Sequence, residues 1–285
     1  MPTTIEPRER RPLPAWTAAV ACIVAIVAGV TLLGSCAGER ASLGSLPPSI
    51  PAHPSTSVAT TSTTEAITPD DGTLGPEDLL GWIATPAGDP QVYATPSKQA
   101  EKLAIGAKTT AGAPTTFAIV GDASPGATTE APGWYRVALP TRPNGSTGWV
   151  PISSVTVTKT PFRVFVDLKG RTLRVEKDDL GVFTTTVAIG TAENPTPQNG
   201  TYVTELIANT NPGGSYGPYA FGLALHSDTL SEFGTGDGQV GIHGTDHPDL
   251  IGQAVSHGCV RLKNDDVKAM VDLALPLGVP VFITG

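Results

Sequence analysis

"AVSHGCVRLKN", residues 254–264, decides the reading of this chain. It sets Cys259 between a His257-Gly258 pair and a Val260-Arg261-Leu262 run of strand character. The other two cysteines, Cys22 and Cys36, lie near the N-terminus. The remainder of the chain therefore has one thiol and no internal disulfide. A thiol becomes a strong nucleophile only when deprotonated, and a nearby imidazole can take its proton. Two histidines are candidates. His257 is two residues from Cys259, and in an extended strand both would face the same side. His243, in "GIHGT", would come from a neighbouring strand. Spacing does not choose between them. Gly258 removes a side chain where a substrate carbonyl must approach and leaves backbone N–H groups to face a developing oxyanion.

Outward from this stretch, the chain reads as mainly β. After it comes one convincing helix, "NDDVKAMVDLAL", with Asn264 as its cap and Asp265 and Asp266 in its first turn. Val267, Met270, Val271 and Ala274 recur at helical spacing. Pro276 and Gly278 stop the helix, and "VPVFITG" is a closing strand. Before it, "FRVFVDL" and "RTLRVEK" flank Lys169-Gly170 as a hairpin, and "GVFTTTVAIG", "FGLALHS" and "QVGIHG" read as further strands. "NPTPQNGTYV" reads as a proline-braced loop with Asn199-Gly200 as its turn. The aspartate pairs 178–179 and 265–266 read as a turn and a helix N-terminus, not as an acid/base dyad.

Residues 76–157 give five short apolar segments between turn signals, Asn144-Gly145 among them, and suggest a small barrel. "GWYRVAL" and "GSTGWV" resemble the bacterial SH3-like domains found beside wall-active enzymes. Trp134 and Trp149 are either part of a wall-binding face or simply core.

The N-terminal part reads as an export or anchor signal. Arg8, Arg10 and Arg11 precede "AWTAAVACIVAIVAGVTLL", an uncharged run of 19 residues. That length suffices for a bilayer span, and arginines before it favour an exported remainder. The run ends in Leu33-Gly34-Ser35-Cys36, which resembles a lipobox, with Cys36 as the lipidated residue. A lipoprotein signal and an uncleaved span over residues 1–36 both remain open. Both place the rest outside the cytoplasm, tethered to a membrane. Residues 37–74, rich in Ser, Thr and Pro, read as a disordered tether. As a flexible coil the tether spans roughly 35 Å. The formal charge of -8 argues against a nucleic-acid-binding face.

"IHGT" followed by "SHGCVRLKNDD" resembles the catalytic motif of the L,D-transpeptidases of bacterial cell walls, over about residues 162–285. The resemblance implies a mostly-β catalytic domain with one C-terminal helix, which needs no metal or organic cofactor. It implies Cys259 as nucleophile and His243 as proton donor and acceptor, oriented by the Gly244 carbonyl. His257 and Gly258 would shape the oxyanion pocket, Ser256 would support the loop, and Arg261 would brace the site or meet a substrate carboxylate. Part of the family carries Asn two residues after the cysteine, where this chain has Arg261, which leaves the role of Asn264 as a substrate-binding residue open. The implied partners are peptidoglycan stem peptides as donor and acceptor, and carbapenem-type β-lactams as inhibitors. Three other readings compete. Cys259 is then a buried inert thiol, or His243, Asp246, His247, Asp249, His257 and Cys259 serve a zinc amidase, or the chain is a non-catalytic wall binder. "HGTDHPD" is a poor helix and not H-E-x-x-H, which weighs against zinc.

Overall fold

A computed structural model describes residues 72–234 and 236–285. The expected anchor, Cys36 and the tether as far as residue 71 lie outside them. Among the described residues the chain is mainly β, with one α-helix.

Seven strands precede residue 160: β1 (Trp82–Pro86), β2 (Val92–Tyr93), β3 (Lys102–Leu103), β4 (Phe117–Ala118), β5 (Trp134–Ala138), β6 (Thr147–Pro151) and β7 (Val155–Lys159). They form a three-stranded sheet in the order β4-β1-β7 and a four-stranded sheet in the order β3-β2-β6-β5. Phe117, Ile119, Val137, Val150 and Val92 close the core between them. The turn at Asn144-Gly145 joins β5 to β6 as expected. Strands β1 and β3 were not anticipated. Trp134 and Trp149 are only half-buried, with Trp134 set edge-on to Tyr93 at 5.4 Å.

Ten more strands and a helix follow: β8 (Phe162–Asp167), β9 (Thr172–Lys177), β10 (Leu180–Thr186), β11 (Ile189–Gly190), β12 (Asn199–Ala208), β13 (Tyr219–His226), β14 (Gln239–His243), β15 (Ala254–Ser256), β16 (Val260–Arg261), α1 (Asn264–Asp272) and β17 (Pro280–Thr284). Eight of them make one sheet in the order β10-β9-β8-β17-β12-β13-β14-β16. Its central strands are buried on both faces, and the period of two assigns their side chains. Val203, Phe221, Leu223, Val281 and Ile283 enter the main core under α1, with Val267 and Met270. Tyr202, Ala224 and Phe282 point the other way and pack on Leu74, Leu79, Ala118 and Ala138 of the N-terminal region. The large sheet is therefore sandwiched between its own helix side and the small sheets, and all belong to one compact unit.

Four local expectations are corrected. Asn199-Gly200 is not a turn but the start of β12. Asn199 Oδ1 accepts from the Leu74 N–H at 2.8 Å, and Gly200 N donates to the Leu74 carbonyl at 2.7 Å. Leu74 is accordingly buried rather than the end of a disordered tether. "GVFTTTVAIG" splits into β10 and β11. The helix is capped at Lys263 without a side-chain bond and ends at Asp272, leaving Ala274 exposed in the left-handed region at φ 55°.

Candidate active site

Strands β14 and β16 run parallel, with Ile242 opposite Val260 and His243 opposite Arg261. Gly241, His243, Cys259 and Arg261 therefore share one face of the sheet. Cys259 Sγ lies 3.4 Å from the Gly241 N–H, which donates to it. The turn that delivers the thiol is built by Ser256, a buried residue whose Oγ donates to the Cys259 carbonyl at 2.6 Å and accepts from the Gly258 N–H at 3.1 Å. Gly258 sits at φ 120°, which side chains rarely adopt.

This geometry overturns two expectations. The stretch is not extended through His257, so the two residues do not share a face. His257 is exposed, with its ring 5.2 Å from Phe233. The Gly258 N–H is taken by Ser256 and does not face a substrate, whereas among the described residues the Cys259 N–H takes no acceptor.

His243 is buried, its ring centred 4.7 Å from that of Tyr216. Its Nδ1 lies 2.6 Å from the Gly244 carbonyl. A carbonyl only accepts, so Nδ1 carries the proton and Nε2 of the neutral ring has a free lone pair. Burial pushes the imidazole down to about 4, the Gly244 bond opposes this, and the Arg261 charge adds to it. Burial likewise pushes the Cys259 thiol up, against the pull of the Gly241 N–H and Arg261. Both groups rest uncharged near neutral pH.

Cysteine and histidine line two adjoining cavities. One, of about 220 Å³, also takes in Tyr216, Phe233, His257 and Arg261. The other, of about 740 Å³, also takes in Glu205, Ile207, Gly222 and Gly241. Arg261 joins none of the ion pairs among the described residues, and its Nε is buried without a hydrogen-bond partner. Asn264 stands apart from both cavities. Its Oδ1 accepts from the Thr245 N–H at 2.9 Å and closes over Gly217 and Gly244, where an added Cβ would meet it at 2.3 Å. Among the described residues no group of three His, Cys, Asp or Glu converges as a metal site would require.

Residues 161–283 match the family model YkuD, described as the L,D-transpeptidase catalytic domain. This segment is an L,D-transpeptidase catalytic domain. Two curated relatives are each named as an L,D-transpeptidase, YkuD. That of Bacillus licheniformis is 38% identical over 124 residues, which is 44% of this chain and 66% of the relative. That of Bacillus subtilis is 31% identical over 123 residues, 43% of this chain and 66% of the relative. The chain thus spans just under two thirds of their length. A solved structure of an L,D-transpeptidase in complex with imipenem is similar at 15% identity and a TM-score of 0.38, over 72% of this chain and 83% of that one.

The L,D-transpeptidase domain does not build its site alone. The segment between β13 and β14 closes the smaller cavity with Leu230, Phe233 and Gly238. It is held from the turn between β5 and β6. Arg142 donates to the carbonyls of Ser227 at 2.6 Å and of Leu230 and Asp237 at 2.9 Å each. Asn144 Nδ2 donates to the His226 carbonyl and to Asp228, and Asn144 Oδ1 accepts from the His226 N–H. Sequence reasoning missed Arg142, Tyr216, Phe233 and Glu205, because each reaches the site from a strand or loop remote in the chain and carries no spacing signal.

Proposed function

We propose that the chain is a peptidoglycan L,D-transpeptidase that works by cysteine acyl transfer. The carrying observation is the neutral imidazole of His243, its Nε2 lone pair free, on the same sheet face and lining the same cavities as Cys259. His257 lines only the smaller cavity and stacks on Phe233, which favours His243 as the base.

Cys259 Sγ attacks the carbonyl between the third stem residue, a diamino acid, and the terminal D-alanine. His243 Nε2 takes the thiol proton as the S–C bond forms, so charge appears only during the reaction. The oxyanion meets the Cys259 N–H. As the C–N bond breaks, His243 returns the proton to the D-alanine amine, leaving a thioester. The side-chain amine of a second stem then attacks, His243 takes its proton, and the thiol is regenerated with a 3→3 cross-link. Ser256 and Gly258 hold the turn, the Gly244 carbonyl fixes the imidazole tautomer, and Asn264 holds the Gly244-Thr245 backbone. His257 shapes the rim, and the unpaired Arg261 guanidinium suits the D-alanine carboxylate. No cofactor takes part in these steps.

The proposal extends to the architecture. Residues 1–36 anchor the chain as a lipoprotein on Cys36 or as a span, a Ser/Thr/Pro tether follows, and residues 76–157 form an SH3-like domain ahead of the catalytic domain. The protein then works outside the cytoplasm, tethered to the membrane and facing the wall. Carbapenem-type β-lactams acylate Cys259 in place of the stem. Incubating the purified ectodomain with disaccharide-tetrapeptide and weighing the products tests the reading. Loss of D-alanine with a dimer is expected. Unchanged substrate with well-folded protein sinks it.

A further inference from the structure

Glu205, on β12, is only 2% exposed, yet it joins none of the ion pairs among the described residues. Among the described residues its one hydrogen-bond donor is the Ala111 N–H, 3.2 Å from Oε2. Lys108, which lines an adjoining cavity with Glu205, makes no ion pair with it. A buried carboxylate without a cation is costly, and such residues are normally paired.

The strand register shows what lies in front of it. Glu205 is opposite Gly222, Gly222 is opposite Gly241, and the Gly241 N–H donates to Cys259 Sγ. One row across three strands and the residue just ahead of β16 therefore reads carboxylate, glycine, glycine, thiol. The Glu205 side chain leans into that row: a Cβ added at Gly222 would come 2.7 Å from its Cγ and 2.8 Å from its Oε1. Over Gly241 no side chain of the described residues comes within 4 Å of an added Cβ. The next row supplies an apolar flank in Ile207 and Ala220 and ends at His243. All of these residues line the 740 Å³ cavity, as does the exposed Asp237, which also lines the adjoining cavity with Glu205.

Strands lie about 4.8 Å apart, so Glu205 and Gly241 stand about 10 Å from one another along the row. An extended four-carbon chain with bonds of about 1.5 Å reaches about 6 Å. The carboxylate leaning over Gly222 covers the rest. We propose that this glycine-floored trough binds the alkylammonium side chain of a diamino acid, with Glu205 as its counter-ion. This rests on the transpeptidase reading and names what that site recognises: an aliphatic stem lies over Gly241 while its charge meets the acid that leans over Gly222.

The test measures single-turnover acylation of Cys259 by intact-protein mass, using tetrapeptide donors that carry L-lysine or L-norleucine third. The two side chains share their four-carbon stem, and only lysine carries the amine. A site built for a charge discriminates strongly against an analogue that lacks it, so wild type acylates at least about tenfold faster with lysine. Glu205→Gln narrows that ratio to within about twofold, and Glu205→Asp, which keeps the charge, retains the lysine preference. This outcome assigns the trough to the donor. Equal acylation by both donors, with Glu205→Gln slowing transfer of the preformed thioester to an amine, assigns it to the acceptor. No difference in either half-reaction, while thioester forms, overturns the trough and leaves the transpeptidase reading standing. No thioester from either donor overturns the transpeptidase reading, and the trough with it.

Discussion

His243 and Cys259 line the same cavities as uncharged groups, and their chemistry has a measurable signature. The thiol is held above its ordinary value, so without substrate its alkylation by iodoacetamide should still be accelerating above pH 9.0. A plateau near neutrality would mean a resting thiolate and defeat the neutral-pair mechanism. The imidazole is held below its ordinary 6.5, at about 4. Between these values the unfolded chain binds the proton and the folded one does not. That contribution to stability is whole above pH 6.5 and is lost as pH falls toward 4. Calorimetric melting across this window should therefore drop more steeply for wild type than for His243→Gln, and equal slopes would count against the burial argument. Cys259 stood out in the sequence as the one thiol outside the N-terminal part, whereas spacing left His243 and His257 open and only the motif resemblance pointed to His243. The placing of His257 was not legible, because the left-handed turn at Gly258 rotates it out of the strand, and alternation alone does not foresee that.

The segment between β13 and β14 is held chiefly through carbonyls that accept from Arg142 and Asn144. Hydrogen bonds to a charged donor are worth about 1.5–3 kcal/mol each when intact. Arg142→Ala should raise amide exchange across residues 227–238 and lower kcat/KM about tenfold, chiefly through KM, with Cys259 itself unaltered. Unchanged exchange in that segment would show that the segment holds itself. Most strands and the hairpin at Lys169-Gly170 could be read from alternation. Asn199-Gly200 could not, since the same dipeptide turns or extends according to what it faces. Here Leu74, 125 residues earlier, supplies both the bonds and the packing that draw it into β12. The cap misassigned to Asn264 is of the same kind: its amide oxygen serves a distant backbone N–H rather than its own helix.

Across the whole molecule, the large sheet buries Tyr202, Ala224 and Phe282 against the N-terminal region. A fragment beginning at Pro161 would bare that face, and its melting temperature should lie well below that of residues 72–285. Equal melting would mean that the contact contributes nothing. Within the same contact the Tyr202 hydroxyl is buried with no partner among the described residues, and burial holds its pKa far above the ordinary phenol value. Tyr202→Phe removes an unsatisfied group at little cost in shape and should leave stability unchanged or raise it by about 1 kcal/mol in urea unfolding. A loss of similar size would reveal a partner for the hydroxyl. The existence of a small β region ahead of the catalytic sheet was legible from turn spacing. That it shares a core with the sheet was not, because Ala118, Ala138 and Leu79 look like ordinary interior residues until their neighbours are known.

One guanidinium gathering three carbonyls has a consequence for building chimaeras. The front region cannot be exchanged as a freestanding cassette. Any substitute spliced on ahead of Pro161 must present a forked cation at the spot Arg142 fills, or the roof over the thiol loses its keystone.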